Sequence, residues 1–240
     1  MNTSNQSHRA FATTRWSTIT QIVKAGERAS NDALSELCVR YRYPVYAYVR
    51  RCGHAPAIAL DIARSFLHYL QLHFSEAKPP TKQYFRSFLL ARLHAYLADD
   101  WRKTRDEAAL VADASEADLE FRYMRDITHA ESPEQAFQRG FAMEVLSRAF
   151  ARLREEAQQT GHIDMYEALA PFIAHDPGPG EYDELARRLR TRPLALVVAL
   201  KRLRQRVREL TSEELADTVS SAEELDAEQQ ALLAVLQRKD

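Results

Sequence analysis

A chain of 240 residues is long enough for one large domain or two small ones, and 45% apolar residues are enough to bury a core. The formal net charge of -1 excludes a uniformly polycationic protein, and two cysteines, Cys38 and Cys52, exclude a disulfide framework. There is no C-x-x-C pair for structural zinc, no apolar stretch of signal-peptide length at the start and no uncharged apolar run of about 18 residues, so the expectation is a cytoplasmic protein without a membrane segment.

Only six glycines are present, and Gly26, Gly53, Gly161, Gly178 and Gly180 stand where helices should end, which predicts an all-α chain. Trp16, Ile19, Ile22 and Val23 at helical spacing predict a short first helix ending near Gly26. A second helix runs from about Asp32 through Leu37, Tyr41 and Val45 to Arg50 and Arg51, with Pro44 expected to kink it. Pro56 opens a third, and a fourth covers about 84 to 103, completing a bundle. From 105 to 131 the pattern is acidic and weakly periodic, which reads as a flexible linker with a short helix at 116 to 125.

Ser132, Pro133 and Gln135 then form a capping-box start, and Phe137, Phe141, Val145, Ala149 and Leu153 follow as an apolar stripe. A helix at 163 to 174, the break "HDPGPG" and helices at 181 to 190 and 193 to 210 predict a second small bundle. Ser221 with Glu224 repeats the cap before an amphipathic tail helix bearing Leu225, Leu232 and Leu236. The expected domains are therefore 1–104, a linker at 105–131, 132–211, and a tail at 212–240.

Residues 187 to 208, "RRLRTRPLALVVALKRLRQRVR", carry nine basic side chains and no acid, whereas 209 to 240 carries nine acids. Two helices joined around Thr191 would form a helix-turn-helix whose second member suits a DNA major groove. With Leu185, Leu189, Leu196, Leu200 and Leu203 facing the core, Arg190, Arg192, Lys201, Arg202, Gln205 and Arg206 are the candidates for phosphates and base edges. The competing reading is a solvated helix whose arginines pair with the acidic tail, and salt dependence separates the two.

The stretches "FATTRWSTI", "ALSELCVRYRYPVYAYVRRCGHAPAIALDIARSFLHYL" and "YFRSFLLARLHAYLADDWRK" resemble bacterial extracytoplasmic-function sigma factors. The likeness is to a subgroup with a Thr-Arg-Trp-Ser start (Thr14 to Ser17 here), and "YDELARRL" with "ALVVALKRLRQRVREL" is similar to that family's promoter-binding helices. The resemblance implies core RNA polymerase and promoter DNA as partners, with an anti-sigma factor or a Ser/Thr kinase as further ones. It implies no catalytic residues, metal or cofactor of the chain's own. By position, Asp61, Ser65, Phe66 and Tyr69 would meet polymerase. Lys82, Tyr84, Arg86, Ser87, Arg92, Trp101, Arg102 and Lys103 would meet the unpaired minus-ten strand, where aromatic and cationic side chains suit splayed bases.

Three departures from the family pattern matter. Ala57, Ile58, Leu60 and Ser65 stand where the family has acids, so docking on polymerase is expected to be weak, and phosphorylation of Ser65 would restore the missing charge. Arg190 and Thr191 fill a turn where the family often has Gly. Apolar Leu194 and Val197 replace polar residues on the reading helix. The rival readings are a sigma-like regulator that binds without initiating transcription, a helical interaction module and an enzyme; no Gly-rich phosphate loop, H-E-x-x-H or nucleophile motif supports the last. The acidic tail helix is expected either to pack across one of the two domains or to cover the basic helix with its acids, which would be autoinhibitory.

Overall fold

A computed structural model of the chain describes residues 31–74, 85–99, 115–126, 131–216, 218–219 and 222–237. The expected helix at 16–23, the Ser221 cap, and Lys82, Tyr84, Trp101, Arg102 and Lys103 lie outside the described residues. The fold class is all-α: the described elements are helices, α1 (Asn31–Arg51), α2 (Pro56–His73), α3 (Phe85–Ala98), α4 (Ser115–Asp126), α5 (Pro133–Gln159), α6 (Ile163–Leu169) with a 3-10 turn (Ala170–Phe172), α7 (Glu181–Arg188), α8 (Pro193–Ala216) and α9 (Ala222–Gln237).

The helix starts follow local chemistry. Pro56 sits in the first turn of α2 after an extended Ala55, where a missing N–H costs nothing. The capping box of α5 is formed: the Ser132 N–H donates to Gln135 Oε1 at 2.7 Å and the Gln135 N–H donates to Ser132 Oγ at 3.3 Å. The ends depend on more distant contacts. α6 stops at Leu169 instead of 174, because Pro171 lacks the N–H that an α-helical ladder would need there. α8 runs on to Ala216 instead of 210, because Leu215 is fully buried and Glu213 and Glu214 are bonded to Arg152.

The chain divides into two compact units, Met1–Glu144 with Leu215–Asp240, and Val145–Glu214. The boundaries expected from sequence lay at 104, 131 and 211. In unit 1, α1 packs on α2 around Tyr41, Tyr46, Phe66, Phe85 and Phe137, all fully buried. Tyr41 meets Phe85 edge-on at 5.0 Å and stacks on Phe141 at 5.3 Å. A Cβ at Gly140 would come within 3.1 Å of the Pro44 backbone, so glycine permits the close approach of α5 to α1.

Residues 115–126 of the segment read as a linker form a helix tied to α1. Glu120 receives two hydrogen bonds from Arg50 (2.7 and 2.8 Å) and one from the Tyr46 hydroxyl (2.6 Å), and Asp126 receives one from Tyr43 (2.8 Å). The Arg122 guanidinium lies 4.0 Å from the centre of the Tyr43 ring. These bonds hold the Glu120 carboxyl below its ordinary range, the Arg50 contact being the main cause.

In unit 2 two apolar clusters share Ile173 and Leu203: one gathers Ala149, Leu153, Tyr166, Val207 and Leu210, the other Leu169, Leu185, Ala186, Leu196 and Leu200. The second cluster fixes α7 against the first half of α8.

Candidate nucleic-acid interface

The connection between α7 and α8 is tight because α7 ends in a Schellman motif. The Thr191 N–H donates to the Ala186 carbonyl (2.9 Å) and the Arg190 N–H to the Arg187 carbonyl (3.3 Å), which places Arg190 at φ 51°. α5 closes in the same way with Gly161 at φ 72°, the His162 N–H reaching Ala157 at 2.8 Å. Arginine therefore occupies a left-handed position that glycine adopts without steric cost. A non-glycine residue is tolerated because six-to-one bonding and the buried Leu185 and Ala186 over-determine the turn.

α8 is half buried. Leu196, Leu200, Val207 and Leu210 are buried on its core side, with the partly buried Leu203 among them. The opposite ridge exposes Leu194, Val197 and Val198 in the first turns, then Lys201, Arg202, Gln205 and Arg208. The exposed side chains of Arg190, Arg192, Lys201 and Arg202 make no hydrogen bond or ion pair with another described residue. These four cations thus cluster around one turn and one helix ridge with their charge uncompensated by close partners. Gln205 is exposed but donates to Glu209 at 3.1 Å and accepts from Arg208 at 2.8 Å.

Two arginines of the basic stretch are used internally. Arg206, expected on the DNA-facing set, forks onto Glu156 (2.7 and 2.9 Å) and reaches Glu209 (3.1 Å) and Glu213 (3.3 Å). Three carboxylates hold its guanidinium charge and raise its pKa. Arg204 donates to the carbonyls of Phe172 (2.8 Å), Ile173 (3.2 Å) and His175 (2.8 Å) and pairs with Asp176 at 2.7 Å. It clamps the "HDPGPG" loop, a role invisible to local pattern because its partners lie about 30 positions away. Beside α8 lies an open apolar groove of about 730 Å³, lined by Leu153, Ala157, Tyr166 and Leu203 and, from the exposed side of α8, by Leu194 and Val198 with Arg192 and Arg202.

On unit 1 the expected sites are placed differently. Of the residues expected to meet polymerase, Asp61, Ser65 and Phe66 are buried in α2 and Tyr69 is exposed. Ser65 is 2% exposed and its Oγ makes no hydrogen bond with a described residue, so it is not a surface phosphoacceptor. The turn of the helix puts it in register with Ile62 and Phe66, which face the core. Val39 on α1 and Ile58 and Leu72 on α2 are exposed instead.

Arg86, expected to meet a DNA strand, is taken up by the tail. It donates to Glu228 at 2.7 Å and to Gln138, and lies 5.4 Å from the centre of the Phe141 ring. Glu228 is 3% exposed, and burial raises its pKa against the opposing pull of Arg86. The tail helix is thus anchored by this buried pair within unit 1, which matches the first of its two expected placements, packing across one domain. Ser87 is half-buried, while Arg92 is exposed over the Phe88 ring at 5.9 Å. Cys38 is buried and its thiol is pushed up to about 12 by that burial.

Among the described residues no helix is long and apolar enough to cross a membrane, and no group of three or more His, Cys, Asp or Glu is placed to hold a metal ion. Comparison with known proteins finds no matching family model, no matching curated protein and no matching solved structure.

Proposed function

We propose that the chain is an extracytoplasmic-function-type sigma factor that binds core RNA polymerase and directs promoter-specific initiation, with α7 and α8 acting as its helix-turn-helix on duplex DNA. The observation that carries this reading is the set of four exposed cations, Arg190, Arg192, Lys201 and Arg202, on the turn and outer ridge of a helix pair whose other faces form a common core. Free guanidinium and ammonium groups on one ridge suit a phosphate backbone, and a helix of this diameter fits a major groove about 12 Å wide.

The resemblance to the family supplies the polymerase half of the reading. Exposed Val39, Ile58 and Leu72 on unit 1 favour an apolar docking surface in place of the acidic one that Ala57 and Ile58 have lost. The same loss supports a second reading, a regulator that binds polymerase or DNA without starting transcription.

Reconstitution separates the two. The full chain is added to bacterial core polymerase on a library of genomic promoter fragments, and transcripts are sequenced. Defined start sites that vanish with Arg192→Ala/Lys201→Ala support the sigma factor. Co-purification with polymerase and no transcripts supports the regulator.

A further inference from the structure

The exposed side of α8 is chemically divided along its length, apolar at its start and cationic further on. Leu194 is 73% exposed and Val197 and Val198 are each 43% exposed, in the two turns that begin the helix. Such branched side chains would ordinarily be buried; here all three reach solvent, with Leu194 and Val198 also forming one wall of the open groove beside Tyr166. Arg190 and Arg192 precede this apolar surface, and Lys201 and Arg202 follow it within two turns. A protein-binding patch has no need of unpaired cations at both ends. A surface pressed into the major groove does, since the sugar-phosphate walls lie on either side of the base edges.

Resting on the proposed helix-turn-helix, we infer that Leu194, Val197 and Val198 read thymine C5-methyl groups. Thymine is the one base that offers an apolar group in the major groove, and aliphatic side chains are its matching contacts. Hydrogen-bonding readout is weak at this end of the helix, because Gln205 and Arg208 are three turns further along and bonded to each other. The target therefore carries two or more thymines under the first turns of α8, with specificity drawn from methyl contact and shape more than from paired donors and acceptors. The flanking cations fix register and contribute affinity without selecting sequence.

The test uses deoxyuridine, which differs from thymidine by that methyl alone. Duplexes that bind the full chain are selected from a random library at fixed salt, and each thymine of the consensus is then replaced by deoxyuridine. The inference predicts a weakening of about fourfold for each contacted methyl removed, the value of one buried methyl group. The double variant Leu194→Ala/Val197→Ala should lose this sensitivity and keep the salt dependence of the parent. Two results overturn the inference while leaving the DNA reading intact: full substitution by deoxyuridine that leaves a salt-sensitive affinity unchanged, or a double variant as methyl-sensitive as the parent. The first would assign the apolar ridge to a protein partner. Failure to bind any duplex would instead refute the proposed function itself.

Discussion

Replacing Arg190 by glycine should make the protein more stable and a poorer DNA binder at once. A non-glycine residue in the left-handed region costs about 1 to 2 kcal/mol, and Arg190 sits there at φ 51°. Glycine removes that strain but adds freedom to the unfolded chain worth about 0.4 to 1 kcal/mol. The expected net gain for Arg190→Gly is therefore about 0.8 kcal/mol, the middle of a span from about 0 to 1.6. For a unit the size of Val145–Glu214 that corresponds to a rise in Tm of roughly 3 to 6 °C when its transition is resolved by calorimetry. Gly161, in the same motif at the end of α5, supplies the internal control: Gly161→Ala should lower stability by about 1 kcal/mol. In salt titrations with duplex DNA, Arg190→Gly should also flatten the dependence of log K on log salt by about 0.9 if its guanidinium meets one phosphate. Lowered stability in Arg190→Gly would refute the strain argument, and an unchanged salt slope would remove Arg190 from the interface.

Ser65→Asp, which on sequence grounds should strengthen polymerase binding, should instead destabilise unit 1 by about 3 kcal/mol or more, because it places an unpaired charge at a 2% exposed position; chemical denaturation measures it. Glu120→Ala leaves the half-buried Arg50 and the Tyr46 hydroxyl without their acceptor and should cost about 1 to 3 kcal/mol, with faster proteolysis within 115–126. Arg206 holds the Glu156 carboxyl below its ordinary range, so the pair's stabilisation is complete above the usual carboxylate pKa and is lost as pH falls through the lower, folded value. Since both side chains are more than a third exposed, Glu156→Gln should change stability by under about 1 kcal/mol at neutral pH and flatten the acid limb of the Tm profile.

Helix beginnings were legible because their signals are local: Pro56, the Ser132–Gln135 box and Pro193 act on residues next to them. The all-α class followed from glycine scarcity and from apolar spacing. Helix endings were less legible: α8 extends past 210 because Arg152, about 60 positions earlier, bonds Glu213 and Glu214. The same distance problem governs the candidate site. Charge and helical facing together marked Arg190, Arg192, Lys201 and Arg202, which are exposed, but could not separate them from Arg206, whose partner Glu156 comes from another helix, and gave no sign that Arg204 holds a loop. Arg86 and Ser65 were assigned by family position, and no periodicity argument could reveal that Glu228 would reach the first or that the second would lie beside Phe66.

The most direct measurement is the affinity of the full chain for duplex DNA as a function of salt, compared with an Arg192→Ala/Lys201→Ala/Arg202→Ala variant. Each side chain contacting a phosphate contributes about 0.9 to the slope of log K against log salt, so the variant's slope should be shallower by about 2.7. Parent and variant sharing one shallow slope would contradict the claim that the α8 ridge grips DNA.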